Sequence, residues 1–188
     1  MISNEEKGII LDFVFRDQDT LGMALVAGGV YDEIRKKIIV SFSELLENEI
    51  KKFLGNEWLI DNTFKKNPLA RYVCFGVRKK KWGERYGICI EAQGTGAREF
   101  IIGIWKIPEA PQINELKELL DKEWRRGNSN DFWVWYRKVD ERYKNWDDEH
   151  VLFEMYFKNE EYINYFKEEL LKIKEMVSDL IDKVVGSP

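Results

Sequence analysis

The sequence is poor in the residues on which many enzymes and secreted scaffolds depend. It contains one histidine, two cysteines and four prolines among 188 residues. A single histidine excludes many enzyme classes, and two cysteines cannot form a disulfide framework. We therefore expect a protein of a reducing compartment, with a cytoplasmic location.

Long apolar runs and a secretion signal are also missing. No stretch approaches the roughly 18 consecutive apolar residues of a membrane span. Residues Met1 to Lys7 lack the basic-then-apolar pattern of a signal peptide. We expect neither secretion nor a membrane partner.

Aromatic residues, by contrast, are abundant. They make up 14% of the chain, beside 44% hydrophobic and 34% charged residues, which is unlike a disordered chain. The length suits one domain with a real core. No internal repeat or long linker divides the chain, so we predict a single domain over residues 1–188.

Helical spacing of apolar residues is clearest in two long segments. Residues 31–54 and 160–185 each carry a continuous apolar stripe, and 113–124 is a shorter amphipathic helix. A short helix is expected within 145–157. Residues 3–15 fit either a helix or a strand, and 17–27 fit a capped helix that Gly28 and Gly29 loosen or break.

Alternating patterns predict the strands. Short connectors between such segments indicate antiparallel hairpins. The fold class is therefore α+β, with an antiparallel meander sheet of three to five strands packed against long N- and C-terminal helices. The predicted strands are Trp58–Asp61, Arg71–Arg78, Glu84–Ala92, Arg98–Trp105 and Asp131–Val139; the predicted core comprises Phe42, Leu46, Ile88, Ile90, Ile102, Leu170 and Ile173.

No catalytic signature is present. A PD-(D/E)XK nuclease needs an acidic residue two positions before a strand lysine, but Ile104 holds that position before Lys106. We predict no catalytic residue, no metal site and no cofactor, and favour a protein that is not an enzyme. A deep pocket in which Glu91, Glu99 or His150 converge would favour catalysis instead.

Three further patterns have structural interpretations. The run Asp147 to His150 is typical of a helix start, because consecutive side chains cannot all face one ion. Cys74 and Cys89 lie on adjacent predicted strands and are interpreted as buried thiols. Gly94 to Gly96 lacks the spacing of a phosphate loop and predicts a hairpin turn.

The charge is unevenly spread along the chain. Residues 65–106 hold 10 basic and 3 acidic side chains, a net charge of +7, between segments of −5 and −6. Such a basic segment fits a polyanion site. It also fits an internal arrangement in which acidic helices neutralise a basic sheet, and this second interpretation is favoured.

The densest charge falls in one predicted hairpin loop, from Arg78 to Trp82. Its cations could hold phosphates while Trp82 stacks a base. The alternative is a solvated loop that guards a sheet edge, with Trp82 covering the end of the sheet. The candidate nucleic-acid-binding residues are Arg78, Lys79, Lys80, Lys81, Trp82, Arg85 and Arg98.

The middle and end of the chain resemble an accessory region of a known family. The stretches are ARYVCFGVRKKKWGERYGICIEAQ, REFIIGIWK and DFWVWYRKV followed by the long terminal helix. They resemble the C-terminal region of large PD-(D/E)XK nuclease-like proteins of prokaryotic defence and mobile loci, over about residues 31–185. The resemblance implies an α+β appendage without the nuclease core, and a nuclease or defence protein as a partner.

Three functions remain open at this point. The leading one is a non-catalytic intracellular binding domain that serves nucleic acid or a nuclease partner through the basic hairpin. The second is an assembly protein that forms a homodimer through its long helices or its Trp-rich strand. The third is a degenerate or unrecognised nuclease. An exposed apolar patch would favour assembly, and a continuous positive face would favour nucleic acid.

Overall fold

The computed structural model describes residues 3–186 and contains helices at both ends of the chain. No helix of this described part is long and apolar enough to cross a membrane. The helices are α1 (Asn4–Val14), α2 (Gln18–Gly29), α3 (Tyr31–Lys51), α4 (Asn114–Trp124), α5 (Glu149–Phe157) and α6 (Asn159–Gly186).

Capping decides the conformation of the N-terminal segment, which the sequence left open between helix and strand. The Ser3 hydroxyl accepts a hydrogen bond from the Glu6 amide at 3.2 Å, and the Glu6 carboxylate accepts one from the Ser3 amide at 2.7 Å. This reciprocal capping box satisfies amides that a helix start leaves unpaired. The Asp17 side chain caps α2 by accepting a 2.8 Å hydrogen bond from the Thr20 amide, and α2 continues through Gly29 rather than breaking before it.

Six antiparallel strands form one sheet in the order β1-β2-β3-β4-β6-β5. The antiparallel prediction is confirmed, but the strand number is higher than the predicted three to five. The additional strand, β5, lies in a segment for which no strand was predicted. The strands are β1 (Trp58–Asn62), β2 (Cys74–Lys79), β3 (Tyr86–Gly94), β4 (Arg98–Lys106), β5 (Asn128–Asn130) and β6 (Trp133–Lys138).

One face of the sheet belongs to the main core, which it shares with side chains of α3 and α6. Phe42 of α3 lies near its centre, with its ring 5.3 Å from Trp146 and 6.1 Å from Phe166. All seven residues predicted to form the core are at most 1% exposed. Their burial confirms the helix and strand registers deduced from the apolar spacing.

The opposite face of the sheet, here called the open face, carries a smaller cluster. Because successive strand residues point to opposite faces, Ile88 and Ile90 enter the main core while Cys89 lies on the open face. Ile101 and Trp133 join Cys89 there, and all three are buried. A cleft also opens on this face, so the sheet separates the core from a second surface.

Candidate functional site

The predicted basic hairpin forms a compact turn between β2 and β3. After β2 ends at Lys79, residues Lys80–Trp82 make a single 3-10 turn. Gly83 follows with φ of 59°, a left-handed conformation that suits glycine. The turn brings four successive basic residues to one end of the sheet, beside the C-terminal part of α6.

Trp82 is buried, contrary to the expectation of an exposed stacking platform. It is 0% exposed, and its Nε1 donates a 2.6 Å hydrogen bond to Oδ1 of Asp182 on α6. Its ring packs edge-to-face against Trp58, with centroids 5.3 Å apart. In this conformation the indole has no exposed face for a base, and it covers the end of the sheet.

Asp182 also binds two of the hairpin lysines. Its Oδ2 lies 2.7 Å from Nζ of Lys79 and 2.8 Å from Nζ of Lys81. Burial alone would raise the pKa of Asp182, but hydrogen bonds from Lys79, Lys81 and Trp82 hold it below its ordinary value. One carboxylate of α6 therefore neutralises the base of the hairpin and anchors its tryptophan.

Two of the three predicted arginines, Arg78 and Arg98, are paired as well. Nε of Arg78 lies 2.7 Å from Oδ2 of Asp61 on β1. Arg98, at the start of β4, pairs with Asp147. Both carboxylates come from the acidic segments that flank the basic one, and this pairing agrees with internal neutralisation.

Lys80 and Arg85 differ from the other predicted cations. Lys80 is exposed at the tip of the turn and Arg85 is half-buried. Neither makes an ion pair with residues of the described chain. Together with the 58% exposed side chain of Lys81, they are the cations of the hairpin that solvent reaches best. The hairpin thus keeps a small basic tip above a neutralised base.

The residues considered for catalysis do not converge. Asp148 caps α5, because its Oδ1 accepts a 2.9 Å hydrogen bond from the His150 amide, and the His150 side chain is 74% exposed. Glu99 lines a polar cleft, whereas Glu91 lies in the separate cleft of the open face. No cluster of three potential metal-ligating residues occurs within residues 3–186.

The polar cleft has a volume of about 590 Å³ and lies where α1 approaches β4. Glu99 has a φ of 55°, and its amide donates a 3.0 Å hydrogen bond to Oδ1 of Asn145. The cleft brings together basic side chains that are far apart in sequence. These are Lys7, Arg98, Lys138 and Lys144.

The most unusual surface is the N-terminal hairpin, defined as α1, α2 and the loop and end residues up to Val30. Among its described side chains, Thr20 alone is buried. Nine large apolar side chains are 43% to 69% exposed: Ile9, Ile10, Leu11, Phe13, Phe15, Met23, Leu25, Val26 and Val30. In the sequence, these apolar residues indicate secondary structure but not an exposed surface.

A second apolar surface, here called the apolar groove, adjoins the N-terminal hairpin. It is a groove of about 420 Å³ between the start of α3 and α5. Tyr31 begins α3 directly after Val30 of the hairpin, which makes the two surfaces neighbours. Apolar side chains of the groove include Ile34, Ile38, Leu152, Phe153, Tyr156 and Phe157.

The open-face cleft is the largest of these cavities, at about 730 Å³. Cys74 and Cys89, which the sequence placed on adjacent strands, both line this cleft. Glu91 follows on the same strand as Cys89. Burial raises the pKa of Glu91 to about 6, against a smaller opposing effect of Gln93.

Comparisons with protein-family models, with curated proteins and with solved structures found no significant match. The resemblance to PD-(D/E)XK accessory regions therefore stays a prediction. What the chain does has to be argued from its own surfaces.

Proposed function

We propose that this chain is an assembly domain that forms a two-fold homodimer through its N-terminal hairpin. The observation that carries the proposal is the exposure of nine large apolar side chains on two adjacent helices. Monomeric proteins rarely expose contiguous apolar patches of more than a few hundred Å². A surface of this kind is stable in water when another molecule covers it.

The exposed apolar area is large enough for a stable interface. The hairpin contributes nine partly exposed apolar side chains, and the apolar groove adds Tyr31, Ile34, Phe153, Tyr156 and Phe157, each at least 38% exposed. At about 100 Å² for each half-exposed side chain, they offer on the order of 1,000 Å². A standard interface buries about 800 Å² per partner.

A second copy is the occupant that this arrangement favours. In a two-fold dimer, the same surface of both chains forms the interface. The N-terminal hairpin of each copy can therefore cover the apolar groove of the other copy. The charges are compatible, since residues 3–30 hold five acidic and two basic side chains. Lys37 and Glu149 line the groove, whereas Arg35, which also lines it, is already paired with Asp32.

The test is the molar mass of the protein in solution, measured by light scattering during gel filtration. Wild type should have twice the mass of the 22.4 kDa chain. A Phe15→Asp, Leu25→Asp double variant should be a monomer that still unfolds cooperatively, because both side chains are largely exposed and lie outside the core. Ser129→Asp, on the exposed β5, is the control for added charge.

Two results would contradict the homodimer. One is a wild-type protein that remains monomeric at all concentrations. The other is a dimer that the double variant forms as well as wild type does. A monomer that binds a different protein through the hairpin would replace the second copy by another partner.

Nucleic-acid binding is kept as a second candidate because Lys80 and Lys81 are exposed at the tip of the basic hairpin. If both contact phosphates, a Lys80→Ala, Lys81→Ala variant should lower the slope of log K against log salt by about 2 on duplex DNA. Lys122→Ala, on an exposed part of α4, is the control. An unchanged slope, or no binding at low salt, would contradict this function.

A further inference from the structure

Small residues lie in the sheet beneath the open-face cleft. In the register of the sheet, Gly76 of β2 and Gly103 of β4 both lie opposite Cys89 of β3. Two glycines and a cysteine thus form one row across three strands. Side chains on such a row rise very little above the backbone. Cys89 of this row lines the cleft, and this part of the cleft is here called the trough.

Aromatic rings bound one side of this trough. Gly87 allows Trp105 to lie directly over the backbone, since a Cβ atom at Gly87 would be 2.4 Å from Nε1 of the indole. Trp133 pairs with Trp105 in the register, and Phe132 is 59% exposed beside them. All three rings line the cleft. They provide apolar surface suited to a flat ligand.

A hydrogen-bond acceptor, the carboxylate of Glu91, lies on the other side of the trough. Glu91 is half-buried, two residues along β3 from Cys89. Its Oε1 accepts a 2.8 Å hydrogen bond from Gln93, which orients the carboxylate. Because each carboxylate oxygen has two acceptor sites, both oxygens can still accept a hydrogen bond from a ligand. Lys106 lines the same cleft, but its Nζ donates to the carbonyl of Asp131 at 2.8 Å and does not neutralise Glu91.

These features define the chemistry of a ligand. A carboxylate that is not ion-paired binds two adjacent N–H donors well, because both of its oxygens can accept in one plane. Aromatic walls favour a ring that stacks. The volume of about 730 Å³ lies within the range of small-molecule sites.

We propose that the open-face cleft binds a flat heterocycle that carries two adjacent N–H donors on one edge, the pattern of a guanine base. The ring stacks on Trp105 above the glycine-cysteine row, and its donor edge faces the carboxylate of Glu91. This site is independent of the assembly surface, which lies on α1, α2, α3 and α5. Neither proposal requires the other.

Guanosine is the probe, and isothermal titration calorimetry is the measurement. Wild type should bind guanosine, and bind adenosine and inosine at least about tenfold more weakly, because each lacks one of the two adjacent donors. Glu91→Gln should weaken guanosine binding about tenfold or more. Glu99→Gln, a carboxylate outside the cleft, should bind as wild type does.

The pH dependence provides a readout that a purely structural role would not show. Ionised Glu91 accepts both hydrogen bonds, so affinity should fall as the pH drops below about 6 and the carboxylate gains a proton. Glu91→Gln should lose this dependence. The indole N–H signal of Trp105 in a nuclear magnetic resonance spectrum, assigned by its absence in Trp105→Phe, should shift on addition of guanosine.

The proposal is overturned if guanosine does not bind at millimolar concentration. It is overturned equally if guanosine, adenosine and inosine bind alike, or if Glu91→Gln retains full affinity. Binding of tetramethylammonium in preference to guanosine would identify a cation cage instead and also contradict the donor-edge assignment.

Discussion

Glu91, on the open face, lowers the free energy of unfolding when its carboxyl group is ionised. Burial raises its pKa to about 6, above the ordinary value of 4.5. The folded protein therefore holds a proton that the unfolded chain releases between these two pH values. The free energy of unfolding should fall as the pH rises through this window, because the ionised carboxylate is poorly solvated in the fold.

Glu91→Gln should consequently stabilise the protein at pH 7.5, by about 1–2 kcal/mol. At pH 4 the variant and wild type should unfold at nearly the same denaturant concentration, since the wild-type carboxyl is then protonated in both states. Urea unfolding at the two pH values measures the difference. Equal stability at pH 7.5 would show that the carboxylate is well solvated.

Trp82, in contrast to Glu91, stabilises the fold. Trp82→Ala should lower the free energy of unfolding by about 3–5 kcal/mol, through loss of a fully buried indole. Asp182→Asn, which keeps the shape but removes the charge, should cost less. A loss below about 1 kcal/mol for Trp82→Ala would mean that the ring does not belong to the core.

At the scale of elements, the apolar stripe of α3 sets its register. Leu46 is 1% exposed, whereas its neighbour Leu45 is 41% exposed. Leu46→Ala should cost about 2–5 kcal/mol through cavity formation. Leu45→Ala should change stability by about 0.5 kcal/mol or less. Thermal or urea unfolding of the matched pair is the test, and equal losses would contradict the register.

Local periodicity predicted the helices and strands that have one face in the core. The apolar stripe of α6 and the alternation of apolar residues in β3 and β4 indicate which residues face the core. β5 was missed because Asn128–Asn130 is short, polar and fully exposed, so no alternation marks it. The start of α5 was placed at Asn145, four residues before Glu149, because the capping role of Asp148 was not resolved from its acidic neighbours.

The candidate sites depend on contacts that sequence spacing does not reveal. Asp182 is 100 residues from Trp82 in the chain, and nothing local indicates that it takes the indole N–H. Similarly, Gly76, Cys89 and Gly103 form a row only once the sheet register is known. The sequence indicated that cations cluster in the hairpin and favoured their internal neutralisation, but it did not indicate that Asp182 and Asp61 are the partners.

At the scale of the whole molecule, apolar residues are divided between a filled core and the N-terminal hairpin. The core uses the stripes of α3 and α6, while α1 and α2 expose theirs. Composition cannot distinguish the two, because both segments are rich in apolar residues. A homodimer would bury the second set, and it accounts for this division with one interface.

Hydrogen–deuterium exchange, read by mass spectrometry at several protein concentrations, tests this central claim most directly. If the chain forms this homodimer, we expect peptides from residues 3–30 to gain protection as the protein concentration rises. Peptides from β3 and β4 should exchange equally at all concentrations. The Phe15→Asp, Leu25→Asp variant should show no such gain. Exchange in residues 3–30 that does not change with concentration, or protection gained only elsewhere, would contradict assembly through the N-terminal hairpin.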